Sequence, residues 1–427
     1  MSSYLLSGGT VVELHPLHIE TRDLLIIDGQ LQEAGQVPSE VERIDCAGCL
    51  IFPGLVVAHT HAYSALAAGM PVTGDAPTTF KQILEKVWWR LDEALDADSL
   101  RASARIAALD ALKSGITCVI DHHESPNFID GSLDVIAEAF EEVGLRCVLT
   151  YGATDRHGAE GAHAGLQESL RFTKKARGLS RGMIGLHAPF TCSDETLESA
   201  AGLAADHSAW LHYHAAEGPD DQAAAQTRWN KRLFEHLAEC GLVHERTLLA
   251  HGVQMHDAEV KCIQDAGAWL THQARSNMNN GVGYAAALAA LERVALGTDG
   301  IDDDILSELK TAFFKRRDHS GPSVWPDPVA ALGKGQQLVG EVFGLPLGQL
   351  KPGAPADLTV MAYDPPTPLT EASLGAHLLF GMSSRDLRDV FVQGRLLLRR
   401  GQVQTADEAQ MRADARNQAD ALFARMR

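Results

Sequence analysis

Eight short apolar runs punctuate the middle of this chain, at 56–58, 117–120, 146–149, 183–186, 210–213, 247–250, 268–271 and 294–297. Strands buried on both faces read as continuous apolar runs, and their alternation with Ala- and Leu-rich helical stretches predicts a parallel α/β architecture. Seven of the eight finish at or next to a His or Asp: His59 and His61, Asp121, His187, His214, His251, His272 and Asp299. The exception, the third run, ends near Tyr151. In a (β/α)8 barrel the carboxyl ends of all strands surround one pocket, so these residues would converge. Nineteen histidines scattered at random would not fall with that regularity.

The flanks read differently. Short alternating segments at 4–6, 9–14, 23–27 and 30–33, with an Asp28-Gly29 turn, have partners near the other end at 357–362 and 390–398, the latter broken at Gln393-Gly394. The expected fold is therefore α/β: a (β/α)8 TIM-like barrel over 53–349 and a small β-sandwich domain built from both termini, 1–52 and 350–427. From Ala406 onward the composition is helical, suited to packing on the barrel or on a partner subunit.

His59 and His61 are separated by one residue at a strand end, and residues i and i+2 of a strand share a face. With His214 and Asp299 they make three neutral imidazoles and a carboxylate, a donor set that suits one Zn²⁺, with Fe²⁺ or another divalent ion as alternatives. Such a site lowers the pKa of a bound water to about 7. Asp299 is placed to accept the water's proton as well as to touch the metal. Glu217, three residues after His214, can bend back as a proton shuttle, and His251 can orient the nucleophile or polarise the electrophile. The fourth run ends on His187, with no Lys or acid there to bridge a second metal. One metal per chain is expected, with His187 facing substrate and His272 sharing that role.

These residues sit in motifs that resemble the amidohydrolase superfamily, in the branch of deaminases and triazine hydrolases. The matching stretches are Pro53-Gly54-Leu55 with His59-Thr60-His61, His187-Ala188-Pro189-Phe190-Thr191, His214-Ala215-Ala216-Glu217, Ala250-His251, Ser276-Asn277-Met278 and Gly297-Thr298-Asp299-Gly300. Lys351 to Leu358 resembles the family's return to the small sheet. Within the branch, Trp88-Trp89-Arg90-Leu91, Asp121-His122-His123 and Ser276 to Asn280 are most similar to the aminohydrolases of the SsnA group. The resemblance implies a mononuclear zinc hydrolase with ligands His59, His61, His214 and Asp299. It places Glu217 and His251 in catalysis, and His187 and Asn277 toward the substrate. The family usually has Asn-Pro after the seventh-strand histidine, whereas His272 is followed by Gln273-Ala274-Arg275, which puts a cation within reach of the pocket rim.

The expected activity is hydrolytic deamination of a small purine- or pyrimidine-like amine. A chlorohydrolase or cyclic-amide hydrolase would use the same site, and a catalytically idle metal- or partner-binding protein is the reading from another class. A formal charge of −19 argues against nucleic acid or an anionic membrane as partner. No apolar run approaches a membrane span, and the first residues lack a basic region followed by an apolar core. The seven cysteines, an odd number, fit a reducing, cytoplasmic setting, with Cys46 and Cys49 read as incidental thiols in a turn. A homodimer is the default assembly.

Several other features have two readings. Trp88 and Trp89 either roof the pocket, stacking on a planar ring, or pack under a loop. His122 and His123 are candidates for a further pocket imidazole. Asp302-Asp303-Asp304 suits a helix cap, Lys315-Arg316-Arg317 a solvated helix face, and 284–291 a helix.

Overall fold

The computed structural model describes residues 3–426 except 34, 36 and 73. Eight strand positions form the barrel: β1 Leu55–Thr60, β2 Ile116–His123, β3 Arg146–Tyr151, β4 in two pieces (Ser180–Gly182 and Ile184–Gly185), β5 Leu211–Ala215, β6 Thr247–His251, β7 Trp269–His272 and β8 Val294–Leu296. Parallel pairing runs from β1 to the first piece of β4, and again from its second piece to β8. Parallel bridges between Ala153 and Leu186, and between Thr60 and Asp299, join the two arcs into a ring. Every residue of β2, β3, β5 and β6 is buried, so both faces of these strands are covered and their polar residues, His122, His212 and His251 among them, lie inside the molecule. Val56, Ala58, Ile120, Val148 and Leu248 pack in one cluster with Leu338, Val339 and Phe343 of the helix Pro328–Phe343.

The terminal segments pair as expected. Tyr4–Leu14, Leu17–Ile27, Gln30–Gln32, Glu42–Asp45 and Leu50–Pro53 share a nine-stranded sheet with Leu358–Met361, Leu387–Val392, Arg395–Arg399 and Gln402–Val403. The two first expected strands are one, with a shift of register between Leu6 and Gly9. Asp28-Gly29 and Gln393-Gly394 turn their hairpins with positive φ at both residues, the two-residue geometry that matches strand twist. The sheet curls on itself: Leu31 N–H donates to Ala354 O at 2.9 Å and Gly353 N–H to Leu31 O at 2.8 Å. Leu6, Val11, Ile26, Ile51, Leu358 and Phe391 fill the resulting core.

A buried ion pair fastens this sheet to the barrel. Arg146, at the start of β3, donates from Nε to Asp357 Oδ2 at 2.6 Å and from Nη2 to Oδ1 at 3.2 Å. Asp357 also accepts from Gln393 N at 2.7 Å, so the clamp satisfies both carboxylate oxygens.

The helix Ala97–Lys113 starts at a reciprocal capping box between Asp96 and Ser99. The C-terminal helix Glu408–Arg425 lies against it, with Met411, Ala415 and Leu422 in the same core as Leu100 and Ala104. Arg412 to Asp110 and Lys113 to Glu408, both 2.9 Å, edge that contact. This helix therefore packs on the barrel. The 284–291 segment is not an α-helix but a single 3₁₀ stretch, Ala286–Ala290. Asp304 caps the helix Ile305–Ser320, accepting from Leu306 and Ser307 N–H. Among the described residues no helix is long and apolar enough to cross a membrane.

Candidate functional site

The end of β1 sets the site. His59 and His61 are both buried, with ring centroids 4.9 Å apart. His59 pairs through Nδ1 with His212 Nε2 at 3.0 Å, and His212 Nδ1 lies 2.9 Å from Leu248 O. A carbonyl only accepts, so His212 donates from Nδ1, accepts at Nε2, and commits the His59 proton to Nδ1. His59 Nε2 is left buried, with no hydrogen-bond partner among the described residues.

The same logic fixes three further rings. His61 donates from Nδ1 to His122 O at 2.6 Å, and His214 from Nδ1 to His187 O at 2.7 Å. His251 donates from Nδ1 to Asn277 Oδ1 at 2.9 Å. All four imidazoles thus have Nδ1 occupied and Nε2 free, and the Nε2 atoms of His61 and His214 face each other at 3.2 Å. Asp299 Oδ1 stands 2.9 Å from His61 Nε2 and 3.7 Å from His59 Nε2. Converging lone pairs and a carboxylate repel unless a cation lies among them, and this donor set fits one divalent ion. Ligand atoms of His59, His214, His251 and Asp299 lie within 4.8 Å of one another, as do those of His61, His122 and His214. His61 is consistent with this: burial pushes its imidazole down, but Asp299 outweighs that and raises it to about 9. A proton occupies the place when no metal does.

Backbone geometry aims these groups. Thr298 and Asp299 N–H both donate to His59 O, at 2.8 and 3.1 Å, bringing the end of β8 against β1. That approach requires glycine at 297, where a Cβ would meet His59 Cβ at 2.8 Å. His251, Ala216 and Asp299 hold positive φ of 79°, 54° and 57°, a costly conformation for such residues that here turns three strand ends inward. Asp221 accepts from Ala216 N at 2.8 Å and from Phe190 N at 3.2 Å, pinning the bend that carries Glu217.

Glu217 Oε2 lies 3.3 Å from His251 Nε2, and its Oε1 accepts from Asn280 Nδ2 at 3.2 Å. Burial pushes its carboxyl up to about 7, the range for giving and taking a proton at neutral pH. The cavity beside these groups is lined by His61, His187, His214, Glu217 and Asp299, with Trp88, Trp89 and Phe80 as apolar wall. Both tryptophans thus face the cavity.

Two residues expected at the substrate, His272 and Asn277, and one expected near the rim, Arg275, do not line this cavity. His272 lines a separate hollow with Tyr284 and Phe313. Asn277 stands behind His251 as its Nδ1 acceptor and does not line the cavity. Arg275 is drawn away from the rim by Glu308, 2.6 Å from its Nε, and Asp302, 2.7 Å from Nη1. Of the two adjacent histidines, His122 stands beside the site, its ring 4.4 Å from that of His214, while His123 turns away to Ser125.

Sequence reasoning gave no role to His212, which sets the His59 tautomer, or to Asp221, Glu124 and Arg156, and held Asn280 only as part of a motif. Two of these carried a signal: Glu124 continues the polar run after β2, and His212 stands two residues before His214.

Residues 50–397 match the Amidohydrolase family. The chain is 32% identical over 394 residues to a 5'-deoxyadenosine deaminase of Methanopyrus kandleri, covering 90% of this chain and 88% of that one. Among solved structures it is similar to an adenosine deaminase from Xanthomonas campestris with bound zinc, at TM-score 0.84, 22% identity and 99% coverage of both chains. It is also similar to the zinc complex of an atrazine chlorohydrolase from Arthrobacter aurescens, at TM-score 0.85 and 23% identity, over 97% of this chain and 100% of that one. With the barrel, the terminal sheet and a histidine cluster built for one divalent cation, this chain belongs to the amidohydrolase family and is a metal-dependent hydrolase.

Proposed function

We propose that the protein is a zinc-dependent hydrolytic deaminase of a small purine- or pyrimidine-like amine. The observation that carries this reading is the set of imidazoles whose Nδ1 atoms are all committed elsewhere, leaving Nε2 atoms converging beside Asp299 and Glu217. Relatives that act as deaminases supply the leaving group. His59, His61, His214 and Asp299 would hold the metal. When bound, the cation supplies Lewis acidity and lowers the pKa of a bound water to about 7.

The chain's own groups do the rest. Asp299, with Oδ2 accepting from Ser276 Oγ, is fixed to take the proton of the attacking water. His251, with its proton on Nδ1, presents a lone pair toward Glu217 and can receive or steer a hydrogen bond. Glu217 carries a proton near pH 7 and gives it to the leaving nitrogen. One C–N bond breaks, one C–O bond forms, and ammonia departs. Trp88 offers a flat face to the ring, and His187 a polar atom to its edge.

Around this core we place three further readings. Residues 53–349 form the catalytic unit, with 1–52 and 350–427 as the supporting one. Seven free thiols, with Cys46 and Cys49 both held by the Arg388 guanidinium at 3.1 Å, suit a reducing, cytoplasmic setting. A homodimer is the default assembly, open to sedimentation.

The test is metal content of wild type and His59→Ala, with ammonia and chloride release from purines, pyrimidines and triazines. About one zinc per chain, lost in the variant, with ammonia from one ring class is expected. No metal in either protein would overturn the mechanism, and chloride without ammonia would move the activity to the chlorohydrolase.

A further inference from the structure

One wall of the cavity carries a buried ion cluster that the chemistry above does not use. Arg156 Nη2 lies 2.7 Å from Asp92 Oδ2 and 2.6 Å from Glu124 Oε2, and its guanidinium lies over the Trp89 ring at 4.5 Å. Those side chains are 9%, 1% and 4% exposed, so the array is held in place by surroundings that leave it little freedom.

Glu124 spends only one oxygen on Arg156. Its Oε1 stands 3.5 Å from His187 Nε2, and both residues line the cavity. His187 Nδ1 is 2.8 Å from Thr191 Oγ1, and the Thr191 hydroxyl donates to Ala188 O at 2.9 Å. The threonine therefore accepts from Nδ1–H, and His187 Nε2 shows the cavity a lone pair. Two acceptors side by side repel each other, and among the described residues no donor stands between them.

We propose that Glu124 and His187 form a donor-reading edge: the substrate is a ring that presents an N–H or amino group to this pair. Rings that show only nitrogen lone pairs at this edge would meet two acceptors and be disfavoured. Arg156, with Asp92, is the positioning residue that keeps Glu124 Oε1 turned to the cavity. This narrows the substrate class of the deaminase reading and rests on the cavity being its heterocycle site.

The experiment is calorimetric titration of metal-loaded protein with matched ring pairs, 2-aminopurine against purine and isocytosine against pyrimidin-4-one. Wild type is expected to bind the amino member of at least one pair about tenfold more tightly, a typical effect of one buried hydrogen bond left unpaired. Glu124→Gln should lose or reverse that preference. Arg156 demands an acceptor, so the amide oxygen turns toward it and the amide N–H₂ faces the cavity. Equal affinities within both wild-type pairs, or a preference unchanged in Glu124→Gln, would overturn the proposal. Should the variant fail to fold, the wild-type pairs alone decide. Ammonia release from the same rings decides the other reading: binding with the expected preference but no ammonia overturns the deaminase and not the donor edge.

Discussion

His61 and His214 point Nε2 at Nε2 across 3.2 Å, each having already given its Nδ1 proton to a backbone carbonyl. Two hydrogen-bond acceptors at that distance are tolerable only with a cation between or beside them. In the metal-free protein that cation is a proton on His61, held there by Asp299 up to about pH 9. Metal and proton therefore compete for one place. Zinc binding at pH 7 is expected to release a proton, and affinity should rise about tenfold per pH unit until pH 9, then level off. Titration calorimetry in buffers of different ionisation enthalpy counts the protons. Zero release at pH 7 would show that the metal does not displace the His61 proton.

Glu217 is the second test. Its carboxyl is raised to about 7 by burial, partly opposed by His251 and supported by Asp299. Replacing it with Gln keeps the Asn280 contact within reach but removes the transferable proton. General acid–base catalysis is worth on the order of 10²–10⁴ in rate. Glu217→Gln should lose kcat by that factor while metal content stays at the wild-type value. Unchanged turnover would remove Glu217 from proton transfer.

The barrel and the convergence of His59, His61, His214, His251 and Asp299 were legible because strand period and strand ends are written locally. What the sequence did not disclose is what each side chain does once three-dimensional neighbours are present. Asn277 from its motif and His272 as a strand end were both expected to face substrate. One proved to be the acceptor behind His251, and the other faces a different hollow. Arg275 looked free to reach the rim, but Glu308 and Asp302 come from later in the chain. His212 sits within β5, where period 2 turns it to the same side as His214, yet nothing local says that it would hold His59. Pair partners distant in sequence are where local pattern has least to offer.

The Arg146–Asp357 clamp gives a stability prediction. Both side chains are buried, and removing one partner strands the other charge away from water. Breaking a buried pair in this way costs about 3–5 kcal/mol. Asp357→Ala is expected to lower the unfolding free energy from urea titration by that amount, with the larger loss at the contact between terminal sheet and barrel. Hydrogen exchange should then rise first in Leu358–Met361 and β3. A joint replacement of Arg146 and Asp357 by apolar residues should recover much of the loss, whereas an exposed pair such as Lys261–Asp265 should show almost none.

Asp303 provides a pH test that is independent of turnover. It is buried, accepts at Oδ1 from the Thr60 hydroxyl at 2.9 Å and the Thr298 hydroxyl at 3.1 Å, and burial raises its carboxyl from 3.8 to about 6. Between these values the unfolded chain has released the proton and the folded chain still holds it. The folded state therefore binds more protons, and stability falls as pH rises from about 4 to about 6, by roughly 3 kcal/mol, then stays level. Asparagine keeps an oxygen for both hydroxyls but cannot ionise. The difference in unfolding free energy between Asp303→Asn and wild type should therefore move by about that amount in favour of the variant from pH 4 to pH 6. Other carboxyls titrate in this window, but they do so in both proteins and cancel in the difference. Parallel curves for the two would mean that Asp303 ionises in the folded state at its ordinary value, and that the two threonine hydroxyls and local water compensate the burial in full.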